Sequence, residues 1–178
     1  SQLSTGIDHL MRKNKVRVVK GTAALGVARG AQREIVVADG PTLLAKDVIL
    51  ATGARAACPP HIKPDGKRVL TYRDALLHDR NISSVVIVGS GAIGIEFASF
   101  YNDMGATVTI IEMQEQILPV EDADIAASAR KQFEKRGMTI LTGASVSSVK
   151  TRQRGVTVSY EKGGKADNVE SEITVIAT

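Results

Sequence analysis

The feature that most constrains this chain is a glycine-rich turn between two short apolar runs. The first run, Val85–Val88, consists of β-branched residues, which is typical of a strand buried on both faces. Three glycines follow with the spacing G-x-G-x-x-G, and helix-compatible residues come after them: Gly89, Gly91 and Gly94. The second run, Thr107–Ile111, is again rich in β-branched residues and leads directly into Glu112. This order predicts a βαβ unit with the fingerprint of dinucleotide-binding domains.

Each position of the turn has a physical role in binding a dinucleotide. Gly89 allows the tight turn, Gly91 lets a pyrophosphate approach the backbone, and Gly94 lets the helix pack closely against the sheet. The helix N-terminus presents free N–H groups and the positive end of its dipole to the phosphates. Glu112 comes near the distance of roughly 20 residues expected for the acid that binds the ribose. Because a carboxylate there accepts from a 2′-OH and repels a 2′-phosphate, we predict NAD rather than NADP.

The composition excludes several other classes of protein. The 178 residues are 43% hydrophobic and 24% charged, as in ordinary soluble domains. The net charge of +4 comes from scattered residues, which argues against a nucleic-acid-binding surface. The sequence has neither an apolar run of roughly 18 residues nor a signal-peptide pattern. A single cysteine excludes an internal disulfide framework and suits a reducing compartment. We therefore expect a cytoplasmic protein that binds neither nucleic acid nor membrane.

The chain divides into three predicted segments: residues 1–53, a linker at 54–81, and a domain at 82–178. The first contains a predicted amphipathic helix at 3–14 and strands at Val16–Val19, Ile35–Val37 and Leu43–Leu50. The linker is rich in proline and glycine, with a short helical turn predicted at Tyr72–Leu77. After the glycine turn, the pattern predicts a helix at 122–136 and strands at Met138–Leu141, Val146–Val149, Val156–Tyr160 and Ile173–Ile176.

One architecture is predicted to occur twice. A strand reaches Gly21 and a later one reaches Gly143, and each is followed by a meander that closes in Ala-Thr, at Thr52 and at Thr178. The nearly constant offset indicates two copies of one arrangement. We therefore predict an α/β, Rossmann-like domain with a parallel sheet and a β-meander at 82–178. Residues 1–53 would be the second half of another dinucleotide-binding domain.

These motifs together resemble the pyridine nucleotide–disulfide oxidoreductases. The similar stretches are Ala51-Thr52-Gly53, Gly66–Leu76 and Gly89–Ala98, and Ile117–Asp124 is similar to the dihydrolipoamide dehydrogenases of that family. The resemblance covers essentially the whole chain. It implies FAD in the first domain, NAD in the second, and electron transfer between a dithiol and NAD through a cysteine pair and the flavin.

The resemblance also assigns residues to the cofactors. It implies that the following residues bind NAD: Gly89, Gly91, Ile93 and Gly94 along the pyrophosphate, Glu112 at the adenosine ribose, and Met113 and Val146 beside the adenine. Ser90 and Ala92, within the same turn, are also predicted to bind the cofactor. Glu96 matches an acid near the nicotinamide and flavin, although an acid near the first turn of a helix is also stabilised by the dipole alone. Thr52 and Gly53 match an FAD contact. Gly21 and Ala23 either flank the flavin's adenine or simply form a turn.

The chain departs from this family in its catalytic groups. The C-x4-C redox pair and the catalytic His–Glu pair that the resemblance implies do not occur in this sequence. Cys58 stands alone and is interpreted as an inert thiol, while His9, His61 and His78 are interpreted as surface residues. We therefore predict no catalytic residue and no metal site here, weak binding of NAD, and no turnover.

The resemblance thus implies a fragment of a flavoprotein that oxidises dihydrolipoamide. In the intact enzyme, the resemblance implies a homodimer whose substrate is carried by a 2-oxo acid dehydrogenase complex. Other members of the family stay open, such as a soluble transhydrogenase, a mercuric reductase or a peroxide-reducing NADH enzyme. A non-catalytic NAD-sensing module is the alternative from a different class.

Overall fold

The first of two compact units is an antiparallel meander preceded by a helix. The computed structural model describes residues 2–178, and the units divide between Gly53 and Ala54. The first unit contains α1 (Gln2–Lys13), β1 (Ala23–Arg29), β2 (Gln32–Val37) and β3 (Thr42–Ala45). The three strands form one sheet in the order β1-β2-β3. Gly30, with φ of +62°, helps to form the short turn between β1 and β2.

Two predictions for this unit differ from the structure. The prediction of a strand at Val16–Val19 is wrong, because these residues join no sheet. β-Branched residues favour a strand only when a neighbouring strand is available to pair with them. The predicted strand at Leu43–Leu50 ends at Ala45. The strand β1 was not predicted; it pairs with β2 from Ala23 opposite Val37 onward.

The second unit is built on a parallel sheet of five strands in the order β4-β11-β5-β6-β7. Its parallel strands and helices are β4 (Val69–Thr71), α2 (Tyr72–Leu76), β5 (Ser84–Val88), α3 (Ala92–Asp103), β6 (Thr107–Ile111), α4 (Ala123–Lys135), β7 (Thr139–Leu141) and β11 (Ile173–Ile176). Residues Val85–Val88 are all buried, which suits a central strand covered on both faces. The predicted α/β fold with a parallel sheet is confirmed.

A second meander packs on one face of this sheet. It consists of β8 (Ala144–Arg152), β9 (Gly155–Lys162) and β10 (Lys165–Ser171), paired antiparallel in the order β10-β9-β8. Its buried residues Val156 and Val158 share a core with Val86 and Val88 of β5. The other face of the sheet packs against α3, whose Ala98 and Tyr101 are buried. The predicted β-meander is present, although β10 was not foreseen.

The stretch predicted as a linker contributes to the sheet. Residues 69–71 form β4, which pairs in parallel with β11 from Val69 opposite Thr174. Asp65 holds the turn that leads into this strand. Its Oδ1 accepts hydrogen bonds from the backbone N–H groups of Lys67, Arg68 and Val69 at 2.8–2.9 Å. The end of the predicted linker therefore belongs to the parallel sheet itself.

We expect the second unit to lose stability in acid through Glu172. The N–H and hydroxyl of Ser83 donate to its carboxylate at 3.0 and 2.9 Å. The backbone N–H of Ser83 lowers the pKa of Glu172 most, and its hydroxyl and the charges of Arg80 and Arg68 lower it further, against partial burial. Because the folded pKa is depressed, this stabilisation is present above the unfolded pKa of about 4.3 and is lost as pH falls through the folded pKa.

The test is Glu172→Gln, with Glu161→Gln, an exposed residue near the end of β9, as the control. At pH 7 we expect Glu172→Gln to lower the free energy of unfolding by about 1 kcal/mol. This deficit should shrink toward zero as the pH falls below about 4. Equal deficits at pH 7 and in acid would contradict the role of the ionised carboxylate.

Candidate dinucleotide site

A cleft opens at the carboxyl ends of the central strands of the parallel sheet. Its volume is about 520 Å³, and it is bordered by the residues that follow β5, β6 and β11. The turn at residues 59–61 and the start of β8 complete its lining. The carboxyl ends of parallel strands are where ligands bind in open α/β sheets. The sheet order therefore places the glycine turn and Glu112 in one concave surface.

Two glycines of the turn are required by close packing. Gly89 has φ of +99°, and a Cβ there would lie 2.5 Å from the carbonyl oxygen of Ala177, which follows β11. A Cβ on Gly94, in the first turn of α3, would overlap the carbonyl oxygen of Gly89. The turn is therefore pressed between α3 and the end of β11. The contact of Gly89 with Ala177 was not foreseen, since it joins two distant parts of the sequence.

Gly91 differs from its neighbours because it has space around it. Its φ of −63° is accessible to any residue, and a Cβ would meet no atom within 4 Å. Gly91 is also the N-cap residue of α3, and no side chain caps the helix there. The first N–H groups of the helix are thus left for another acceptor. Neither the turn nor the packing requires glycine at this position, whereas a phosphate approaching the backbone would.

Glu112 joins the end of β6 to the glycine turn. The residue is 7% exposed, and its Oε2 accepts from the backbone N–H and the hydroxyl of Ser90, at 2.8 and 2.6 Å. Its Oε1 accepts from the backbone N–H of Gln114 at 2.8 Å. A carboxylate oxygen can accept two hydrogen bonds, so Oε1 retains capacity for one more donor. Glu112 can therefore hold the turn and receive a ligand hydroxyl at the same time.

Ser90 supports the site from within the protein. It is fully buried, its hydroxyl donates to Glu112, and its carbonyl oxygen accepts from the N–H of Leu118 at 2.9 Å. These bonds occupy the side chain, so Ser90 acts by positioning Glu112 and the turn. Ser90 is predicted as a cofactor-binding residue, and in the structure its hydroxyl has a partner within the protein.

The remaining predicted residues fall into two groups. Met113, which is 65% exposed, and Val146 of β8 line the cleft together with Gly89, Ser90, Gly91 and Glu112. Four others do not line it: Ala92, Ile93, Gly94 and Glu96. Ile93 and Glu96 instead border a separate depression of about 520 Å³, together with Phe97 and Phe100 of the same helix. The structure thus places Glu96 and Ile93 outside the cleft that Gly89, Gly91 and Glu112 line.

The residues predicted to contact FAD lie in the first unit. Gly21 has φ of +154°, and a Cβ there would lie 2.6 Å from Cγ1 of Val37, so packing alone accounts for glycine. Ala23 begins β1. Thr52 is exposed, and Gly53 has φ of +79° in open surroundings, where a Cβ would meet no atom within 4 Å. Their assignment to FAD stays a prediction.

The cysteine and histidine residues considered as candidates show little that indicates a nucleophile or a metal site. Partial burial, and then the charge of Asp74, raises the pKa of the Cys58 thiol, which favours the protonated form over a nucleophilic thiolate. His78 is half-buried, and its Nε2 accepts from Arg80 at 3.3 Å. Within residues 2–178, no cluster of histidine, cysteine, aspartate or glutamate could hold a metal ion. None of the helices described by the structure is long and apolar enough to cross a membrane.

His61 is a residue of the cleft that the sequence analysis missed. Its Nε2 lies 3.0 Å from the carbonyl oxygen of Val146, 85 positions away in the chain. The sequence predicts a surface histidine in a linker here, and the residue is indeed exposed. No sequence pattern indicates such a contact, because it depends on how the 59–62 turn packs beside β8.

Comparisons with known proteins identify the family to which this chain is similar. The family model for pyridine nucleotide-disulphide oxidoreductases matches residues 1–178. A dihydrolipoyl dehydrogenase of Rhizobium etli is 41% identical over 99% of this chain and 40% of its own length. One of Zymomonas mobilis is 44% identical over 88% of this chain and 34% of its own length. The chain therefore spans less than half of these curated relatives.

Solved structures show the same relationship. The crystal structure of LpdA from Mycobacterium tuberculosis matches with a TM-score of 0.83 and 31% identity, over 99% of this chain and 39% of that one. A ferredoxin reductase from Rhodopseudomonas palustris matches with a TM-score of 0.73 at 19% identity, which shows the fold alone. On the match to the whole of residues 1–178, this chain belongs to the pyridine nucleotide-disulphide oxidoreductase family.

Proposed function

We propose that this chain is the NAD-binding part, with the end of the FAD-binding part, of a flavoprotein of the dihydrolipoyl dehydrogenase type. The observation that carries the proposal is that one cleft is lined both by Glu112, which is bonded to Ser90, and by Gly91, beside which there is open space. The similarity to curated dihydrolipoyl dehydrogenases supports the parent enzyme. NAD binding would fall to the second unit, residues 54–178, and in particular to the predicted domain at 82–178.

The residues of the cleft fit a dinucleotide. The open space at Gly91 leaves room for a pyrophosphate beside the backbone, and the uncapped N–H groups of α3 supply donors for it. The free acceptor capacity of Glu112 suits the ribose, and its negative charge disfavours a 2′-phosphate. Met113 and Val146 offer apolar surface to the adenine. When bound, NAD supplies the nicotinamide that accepts a hydride from a reduced flavin.

The whole enzyme would oxidise dihydrolipoamide carried by a 2-oxo acid dehydrogenase complex. As a homodimer in the cytoplasm, it would use FAD bound partly by the first unit, near Gly21, Ala23, Thr52 and Gly53. Glu96 would serve near the nicotinamide and flavin. The 178-residue chain contains one cysteine and cannot form the dithiol–disulfide pair that such a reaction needs. We therefore expect it to bind NAD and to catalyse no lipoamide-dependent NADH formation, which a spectrophotometric assay would detect.

Gly91→Ala is the direct test of the pyrophosphate site. The added methyl group meets no protein atom, so we expect an unchanged fold, but it occupies the space of the ligand. The affinity for NAD in a calorimetric titration should fall by about tenfold or more, corresponding to about 1.4 kcal/mol. NADH should be affected like NAD, and NADPH should bind the unaltered chain more weakly than either.

The matched control is Gly6→Ala. Gly6 also has no atom within 4 Å of an added Cβ, and it lies on α1 in the first unit. We expect this variant to bind NAD like the unaltered chain. Equal affinities of the Gly91→Ala variant and the control would show that the pyrophosphate does not lie against Gly91. Tighter binding of NADPH than of NADH would contradict the role of Glu112.

A further inference from the structure

The turn that carries His61 is held firmly beside the cleft. The N–H of Ile62 donates to the carbonyl oxygen of Pro59 at 2.9 Å, which closes a four-residue turn. The Ile62 side chain is 3% exposed and packs in the core with Val88 and Ile111. Pro59 and His61 both line the cleft. The residues on both sides of His61 are therefore held in place, and its exposed imidazole does not lie on a free surface loop.

The tautomer of the neutral ring follows from its partner. The carbonyl oxygen of Val146 can only accept, so the Nε2 of His61 must carry the hydrogen. In the neutral imidazole the other nitrogen, Nδ1, is then an acceptor. The described residues provide no hydrogen-bond partner for this nitrogen. With the neutral ring, the cleft wall beside β8 thus offers an aromatic surface and one acceptor nitrogen to a bound ligand.

The position of β8 beside Glu112 decides which part of a dinucleotide reaches this wall. The N–H of Ala144 donates to the carbonyl oxygen of Glu112 at 2.9 Å, so β8 begins next to the acid. Val146 lies two residues further along β8, and His61 is bonded to it. A base attached to the sugar that Glu112 holds must lie against the walls next to this acid. Those walls include Met113 on the β6 side and Val146 with His61 on the β8 side.

We propose that His61 contacts the adenine of the bound dinucleotide and that its Nδ1 accepts a hydrogen bond from the exocyclic amino group of the base. This inference rests on the proposed function, because it needs a dinucleotide in the cleft. An amino group is a donor and matches an acceptor nitrogen, whereas the carbonyl oxygen of hypoxanthine at the same position is itself an acceptor. His61 would then be a specificity residue for aminopurine dinucleotides, with no part in the chemistry.

The test compares NAD with nicotinamide hypoxanthine dinucleotide in calorimetric titrations of the 178-residue chain. We expect the unaltered chain to prefer NAD by about tenfold, as one matched hydrogen bond against an unmatched one predicts. In His61→Ala the affinity for NAD should fall to that for the hypoxanthine compound, so that the preference disappears. His61→Gln should retain part of the preference, because its amide can donate to Val146 and accept with its oxygen.

His9→Ala is the control, since it removes an exposed histidine from α1 of the other unit. It should keep both affinities. An unchanged preference in His61→Ala, or an equal loss of both ligands, would overturn the contact with the amino group. A merely structural effect of the mutation would weaken both ligands alike and would leave the preference as it was. If the unaltered chain bound neither compound, the proposed function itself would fail, and this inference with it.

Discussion

Replacing Gly94 with alanine is expected to destabilise the second unit by about 3 kcal/mol, the upper part of the range for overpacking. The added methyl would overlap the carbonyl oxygen of Gly89, which is backbone and cannot rotate away. Gly89 in turn has no room to retreat, because the Ala177 carbonyl lies behind it. Relief requires α3 to move off the sheet, which would expose the buried contacts of Ala98 and Tyr101.

The chain provides its own probe for this measurement. All three tyrosines, Tyr72, Tyr101 and Tyr160, lie in the second unit, and the sequence contains no tryptophan. Tyrosine fluorescence during urea unfolding therefore reports on this unit alone. Gly91→Ala is the matched control, since it places the same methyl three positions away in open space and should change the free energy of unfolding by less than about 0.5 kcal/mol. Similar unfolding of the two variants would contradict the close packing at Gly94.

The second large effect is expected for Glu112→Gln. Three donors point at the carboxylate, namely the N–H and hydroxyl of Ser90 and the N–H of Gln114. A glutamine offers one oxygen and one NH₂ group, so one of the two backbone N–H groups must face another donor. We expect a loss of about 1–3 kcal/mol in the free energy of unfolding.

The same change should alter the choice of cofactor. A hydrogen bond to a charged group contributes about 1.5–3 kcal/mol, so the affinity for NAD should fall by about tenfold to a hundredfold. Binding of NADPH should fall less or improve, because the charge that repels its 2′-phosphate has been removed. Titrations with both ligands give the ratio of affinities, which a general loss of stability would not change. Glu121→Gln, an exposed acid outside the cleft, should leave that ratio alone, and a constant ratio in Glu112→Gln would contradict its role in selectivity.

The βαβ unit formed by β5, α3 and β6 could be predicted because the sequence patterns that indicate it are local. The β-branched residues of β5 and β6 and the glycines between them follow one another within a short stretch, and the structure places β5, α3 and β6 there. The buried acid after β6 was predicted from its distance to the glycine turn. Its bond to Ser90 was not, because spacing alone does not indicate which polar group a side chain will meet.

The features that could not be predicted depend on distant partners. The strand β4 has only three residues, follows a stretch rich in proline and glycine, and becomes a strand through pairing with β11. The strand β10 carries mostly polar, exposed residues, so its sequence lacks the alternation of a half-buried strand. His61 enters the cleft through a bond to Val146, and no local pattern records it. In each case the feature depends on residues that are distant in the sequence and meet only in the tertiary structure.

The order of the strands also determines when the cleft can form. The last strand in sequence, β11, lies between β4 and β5, and its Thr174 pairs with Val86 across 88 positions of the chain. A sheet that lacks this strand would leave β4 separated from β5 and would leave Gly89 without its neighbour Ala177. Closing so long a loop late is slow compared with local hairpin or helix formation. During synthesis, the glycine turn would therefore emerge well before it acquires its final shape, and competence to bind a nucleotide would arise only when folding is complete.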